Sequence, residues 1–322
     1  MIITQRKAVT EIIDRIKSQQ VCLPIFCTAS HWNTEAILIA AKKIGETYDI
    51  KNVPVAIAMT YNYKYMPQAR RITCAGDPRL GFLSVMKHLK VLSDDKKSPY
   101  YNVQVLPHLD HANPVDDVWP LTMGTEYLAS VMFDAQQYPL AENVALTKAY
   151  VENYRHKVFI EGIMDELSVS ELHIKTPEEI DDYSERAFKY AKETGIDFLV
   201  ADLGTEQQSG GVGGKKYLKE RAREIKALFS DNILVLHGTS CLSDADICTL
   251  ADDGIIRVNI WTRIAREAGL YAFDQLHKRE EKINRNDFNA IESHQYLMDS
   301  TVRAAEVMER IMILLGYHKL KK

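Results

Sequence analysis

The sequence predicts a (β/α)₈ or TIM barrel, with a helix ahead of the first strand and more helices after the last. Three observations lead there: eight short apolar runs, longer amphipathic stretches alternating with them, and no glycine-rich dinucleotide turn after the first run. Nearly continuous apolar runs belong in a parallel sheet covered on both faces. Eight strands, each followed by a helix, in 322 residues fit a barrel. A doubly wound open sheet is the alternative, and it is disfavoured by the strand count and the missing turn.

The elements follow in order. Residues 1–20, MIITQRKAVTEIIDRIKSQQ, read as a polar helix. The strands are expected at VCLPIFCT (21–28), VPVAIAMT (53–60), VQVLPHLD (103–110) and YLASVMFD (127–134). They continue at KVFIEGIM (157–164), DFLVADLG (197–204), ILVLHG (233–238) and GIIRVNIWT (254–262). Helical patterns between them include NTEAILIAAKKIGE, LAENVALTKAYVENYR and TPEEIDDYSERAFKYAKETG. The last opens on a threonine cap with glutamates in its first turn and ends in glycine. We therefore expect a single domain, 1–322, made of the N-terminal helix (1–20), a barrel core (21–264) and a helical extension (265–322). In the extension, HQYLMDSTVRAAEVMERIMILLGY has an apolar spacing suited to packing on the barrel wall or on a second subunit.

The composition excludes several classes. A net charge of −4 leaves no electrostatic footprint for nucleic acid or an anionic membrane surface. No apolar run approaches the ~20 residues of a bilayer span, and the N-terminus lacks the apolar centre of a secretory signal. Cys22, Cys27, Cys74, Cys241 and Cys248 form an odd, scattered set without a CxxC pair, which points to reduced thiols in the cytoplasm.

In a barrel, chemistry sits where strands run out at their C-terminal ends. Polar residues gather there. Thr28 and Ser30 follow strand one; His108, Asp110 and His111 end strand three; Asp134 ends strand four; Glu161 lies within strand five. Glu206 and Gln207 follow strand six, His237 ends strand seven, and Asn259 and Thr262 lie on strand eight. His111 and His237 are imidazoles on separate strands, donors suited to zinc, cobalt or iron. A third ligand is expected from Glu206 or Gln207. Asp110 is placed to move a proton on a substrate hydroxyl beside a metal-polarised carbonyl, or else to orient His111. His108, Asp134 and Glu161 are expected to support these ligands or to hold a second ion. Glycines cluster in GTEQQSGGVGG (204–214) and LHGTSC (236–241), where backbone N–H groups can cradle an anion. Gly210, Gly211, Gly238, Ser240, Asn259 and Thr262 are thus candidate substrate and phosphate contacts.

These motifs resemble those of the class II, metal-dependent ketose-bisphosphate aldolases, which include the fructose- and tagatose-bisphosphate aldolases. HLDH (108–111) is similar to the family's catalytic Asp and metal His motif. SVMFDAQQYPLAENVALTKAYVE (130–152) resembles its SVMxDxSxxPxxENxxxTKxVV segment. FIEG, LGT, LHGTS and RVNIWT resemble VEGELG, IGTAHG, LHGGSG and KVNxxT, and the likeness runs from about Pro24 to Gly316. The resemblance implies that His111 and His237 hold a divalent metal, with zinc expected and another divalent transition metal as the alternative. It implies that Asp110 serves the C4 hydroxyl. It further implies cleavage of a phosphorylated ketose between C3 and C4 through a metal-stabilised enediolate of the dihydroxyacetone phosphate type, in a homodimer or homotetramer.

The departures are informative. GTEQQ stands where the family has GTAHG, placing Gln207 at the ligand position with Glu206 beside it. Ile163 replaces the second glutamate of VEGELG, IFCT replaces AFNV, GTSC replaces GGSG, and Trp261 replaces an acidic residue on strand eight. Asp165, Glu166 and Glu171 are candidates for the loop carboxylate that handles the C3 proton, with Glu166 preferred. The resulting expectation is a diverged member of the family, an aldolase or lyase acting on a sugar phosphate. Two alternatives stand beside it. One is a non-catalytic partner subunit, because CTAS (27–30) resembles a motif of supporting barrel subunits. The other is a metal-dependent sugar-phosphate isomerase or epimerase.

Overall fold

Each apolar run of the sequence becomes a barrel strand. The structure, a computed structural model, describes residues 1–165, 182–205 and 217–320. Among these residues, eight parallel strands close a barrel in chain order: β1 (Leu23–Cys27), β2 (Val53–Thr60), β3 (Val103–Ala112), β4 (Ser130–Phe133), β5 (Phe159–Ile163), β6 (Phe198–Val200), β7 (Leu234–Leu236) and β8 (Ile255–Ile260). β8 pairs with β1, with Ile25 opposite Asn259, so no strand edge is left open. Nearly every strand residue is buried, which is why the runs are apolar without alternation.

The crossover helices start and stop on local signals. Ser30 caps His31–Tyr48 by accepting the Asn33 N–H at 3.1 Å. Asp77 caps Pro78–Asp94 through the Leu80 N–H at 2.6 Å. The crossover after β3 is short, a five-residue helix Val118–Thr122 followed by a 3₁₀ turn. The helix expected over 176–195 begins at Tyr183, after Asp182, runs to Thr194 and ends at Gly195 with φ +71°, a conformation that favours glycine; the expected threonine cap lies outside the described residues.

The N-terminal helix, Arg6–Ser18, seals the bottom of the barrel with Val9, Ile12, Ile13 and Ile16. Arg6 bonds the Val158 carbonyl at 2.6 Å and pairs with Asp197, at the bases of β5 and β6. The C-terminal helix Ser293–Leu314 packs on the barrel-wall helix His31–Tyr48 and on Thr262–Lys278. No helix among the described residues is long and apolar enough to cross a membrane.

Candidate active site

On a strand, residues two apart share a face. His108 and Asp110 on β3 therefore both point into the barrel, as do Arg257 and Asn259 on β8. His111 would then point outward. It does not, because β3 gains a residue against β4: Leu109 pairs with Val131, but Ala112 pairs with Phe133. The bulge is completed by His111 itself, whose φ of +47° lies in the left-handed region that a bulky residue seldom adopts. Consecutive side chains, Asp110 and His111, are thereby both delivered to the mouth. His237 arrives directly after β7, and Gly238 at φ +72° turns the chain away behind it.

Asp110, His111 and His237 each offer a ligand atom, and these atoms all lie within 4.8 Å of one another. The two imidazole rings stand 5.2 Å apart and nearly perpendicular, at 84°. All three side chains are buried, at 4%, 4% and 3% exposure. His111 Nδ1 is bound to Asp134 Oδ2 at 2.7 Å, so Nε2 is the nitrogen it can offer an ion. The ring's orienting carboxylate is thus Asp134, not the adjacent Asp110.

His237 Nε2 and Asp110 Oδ1 are buried with no hydrogen-bond partner among the described residues. A buried polar atom left so costs roughly 1–3 kcal/mol. Two imidazoles and a carboxylate are donors that divalent transition metals accept, so this set fits such an ion. The electrostatics agree. Burial lowers His237 to about 4, against the pull of Asp110, and keeps its ring neutral as a ligand must be. Burial also acts on His111, but there Asp110 and Asp134 together outweigh it and raise its pKa. Burial works to raise the Asp110 pKa, and its neighbours, the His111 imidazole foremost, overcome it, leaving a carboxylate.

Beneath the mouth lies a sealed polar layer. Arg257 on β8 pairs with Glu161 on β5 and bonds Ser130 Oγ at 3.0 Å. His108 Nδ1 bonds the same hydroxyl at 2.8 Å, and its Nε2 stands 3.6 Å from Glu161 Oε2. Burial pushes Glu161 up to about 7 and Arg257 down, and their attraction opposes both shifts. Burial, aided by Arg257, holds His108 well below its ordinary value, so it is neutral. Asp134 therefore supports His111, while His108 and Glu161 belong to the guanidinium layer.

Gly238, Ser240, Asn259 and Thr262 line one cleft with Asp110, His111 and His237. Glu166, Glu206, Gln207, Gly210 and Gly211 lie outside the described residues. Sequence reasoning passed over two contributors. Tyr63 lies flat on His111, with ring centroids 4.3 Å apart and planes within 10°, and comes from the aromatic YNYKY after β2. Arg257 was visible as a lone charge inside the run GIIRVNIWT.

Residues 7–319 match the family model for class-II fructose-bisphosphate aldolase. The chain belongs to that family. It is an aldolase, a carbon–carbon lyase of a metal-dependent family that acts on phosphorylated sugars. The fold of this aldolase is shared with solved structures at low identity. The fructose-bisphosphate aldolase of Campylobacter jejuni is 19% identical with a TM-score of 0.73, over 98% of this chain and 95% of that one. The YdjI aldolase of Escherichia coli K12 is 18% identical with a TM-score of 0.69, over 98% of each chain.

Proposed function

We propose that this aldolase cleaves or forms a C–C bond in a ketose phosphate or bisphosphate, releasing or consuming dihydroxyacetone phosphate or a close analogue. The observation that carries this reading is the convergence of Asp110, His111 and His237 within 4.8 Å at the mouth of the barrel. A divalent cation, Zn²⁺ for preference, held by His111 and His237 with Glu206 or Gln207 completing the set, would supply positive charge opposite the substrate oxygen on which charge builds as the bond breaks.

The chain's own residues do the rest. Asp110, held as a carboxylate by its neighbours, His111 foremost, takes the proton of the C4 hydroxyl on Oδ1, which has no partner among the described residues. As the C4 oxygen becomes a carbonyl, the C3–C4 electrons pass to the ketose fragment. Glu166 is proposed to return a proton to C3. Asn259 offers its buried Nδ2, without a partner among the described residues, to the substrate oxygen. Gly238, Ser240 and Thr262, with Gly210 and Gly211, are proposed to take the phosphate end, where backbone N–H groups suit an anion. We further propose that 1–322 acts as one domain in the cytoplasm, consistent with its five free cysteines, and as a homodimer or homotetramer. Exposed Leu270, Phe273 and Phe288 on the C-terminal helices support an assembly.

Purified protein should carry a divalent metal and release dihydroxyacetone phosphate from a ketose phosphate, and Asp110→Asn should abolish that release. Release that persists after complete chelation overturns the metal's role. An epimerised ketose without a three-carbon product would make the protein an isomerase or epimerase instead.

A further inference from the structure

Cys27 ends β1 with its side chain 2% exposed, in the position where the sequence departs from the family's AFNV motif. Its Sγ lies 3.2 Å from Asn259 Oδ1 and 3.7 Å from Asp110 Oδ2. A thiol carries a single proton, and the shorter contact takes it. Burial, reinforced by the Asp110 carboxylate, raises the thiol's pKa well above its ordinary value, so the sulfur is a donor.

The amide of Asn259 can sit in two senses. In the reverse one its NH₂ would face the thiol proton, setting two donors together. In the observed one the oxygen accepts from Cys27, and Nδ2 is left without a partner among the described residues. Asn259 is 8% exposed and lines the cleft with Asp110 and His237. A buried donor without a partner among the described residues, on a side chain that lines the cleft, is available to a ligand oxygen.

We propose that the Cys27 S–H holds the Asn259 amide in the sense that turns Nδ2 to the substrate oxygen, which makes Cys27 a positioning residue for the aldol reaction. This rests on the reading of Asn259 as a substrate contact given above. A donor aimed beforehand needs no reorganisation when charge develops on the oxygen it meets. The effect belongs to the bond-breaking step rather than to binding, so it falls on kcat.

Two measurements test this separately. The S–H stretching band of Cys27, identified by its disappearance in Cys27→Ser, should lie below the free-thiol position in the wild type and move up in Asn259→Leu. A wild-type band at the free-thiol position, or one unmoved in Asn259→Leu, overturns the proposal without reference to activity. In kinetics, Cys27→Ala should lower kcat about threefold, the low end of a hydrogen bond's worth because S–H is a weak donor, with KM changed by less than about twofold. Cys27→Ser, which keeps a donor, should recover most of kcat. An undiminished kcat in Cys27→Ala, or an equal fall in Cys27→Ser, overturns it as well. If the wild type cleaves no ketose phosphate, the aldolase reading fails while the band measurement still decides the Cys27–Asn259 bond.

Discussion

His111 Nδ1 and Asp134 Oδ2 stand 2.7 Å apart, joining the bulge of β3 to the residue that follows β4. That bond fixes which ring nitrogen faces the mouth and holds the ring plane. Carboxylates in this position orient a ligating histidine, and their loss typically costs about 10–100-fold in metal affinity. Asp134→Ala should therefore weaken metal binding by that order in a competition titration, while saturating metal restores turnover. Unchanged affinity would show that the bulge and the Tyr63 stack alone suffice to aim the ring.

Protonation and metal binding compete at His111. Its pKa is raised because Asp110 and Asp134 outweigh burial, so the metal-free ring holds its proton above the ordinary histidine value of 6.5. His237, lowered to about 4, is already neutral there. Cation binding near neutral pH should release more protons from His111 than an unperturbed histidine would give, and affinity should rise with pH until that proton is gone. Calorimetry in buffers of different ionisation enthalpy reads the proton count. Release in Asp134→Ala should be smaller, since losing that carboxylate lowers the ring's pKa. A release of zero in the wild type at neutral pH would refute this charge assignment.

The barrel was legible because strands buried on both faces leave uninterrupted apolar runs; even the short β6, Phe198–Val200, falls inside the run DFLVADLG. The convergence of His111 and His237 could be read because a closed barrel gathers strand ends in one place. What places Asp110 beside His111 could not. Strand alternation puts neighbours on opposite faces, and the bulge that cancels it turns on a histidine at positive φ, with no glycine to announce it. The partners of buried charges were equally hidden. Arg257 stood out in its run, but Glu161 lies 96 residues away, and only the barrel's closure brings the two together.

The Arg257–Glu161 pair sets a test of what lies beneath the mouth. Both side chains are almost wholly buried, at 2% and 0% exposure, and Ser130 and His108 complete the layer. Removing one member of such a pair strands the other charge and costs about 3–5 kcal/mol, whereas replacing both with neutral groups costs far less than the sum. Arg257→Met and Glu161→Gln should each show that loss in urea unfolding, and the double variant should recover much of it. The pH dependence has a definite sign. Burial has already pushed Glu161 up to about 7, and Arg257 holds it from rising further. Without the guanidinium, the folded-state pKa climbs above that value, so the folded protein keeps a proton that the unfolded chain has released. Stability in Arg257→Met is then present at low pH and is lost as pH rises through the elevated value. Arg257→Met should accordingly be less damaged in mildly acidic than in mildly alkaline buffer, and Glu161→Gln/Arg257→Met should lack that difference. Strictly additive losses, or a pH dependence that survives in the double variant, would show that the two charges do not answer one another.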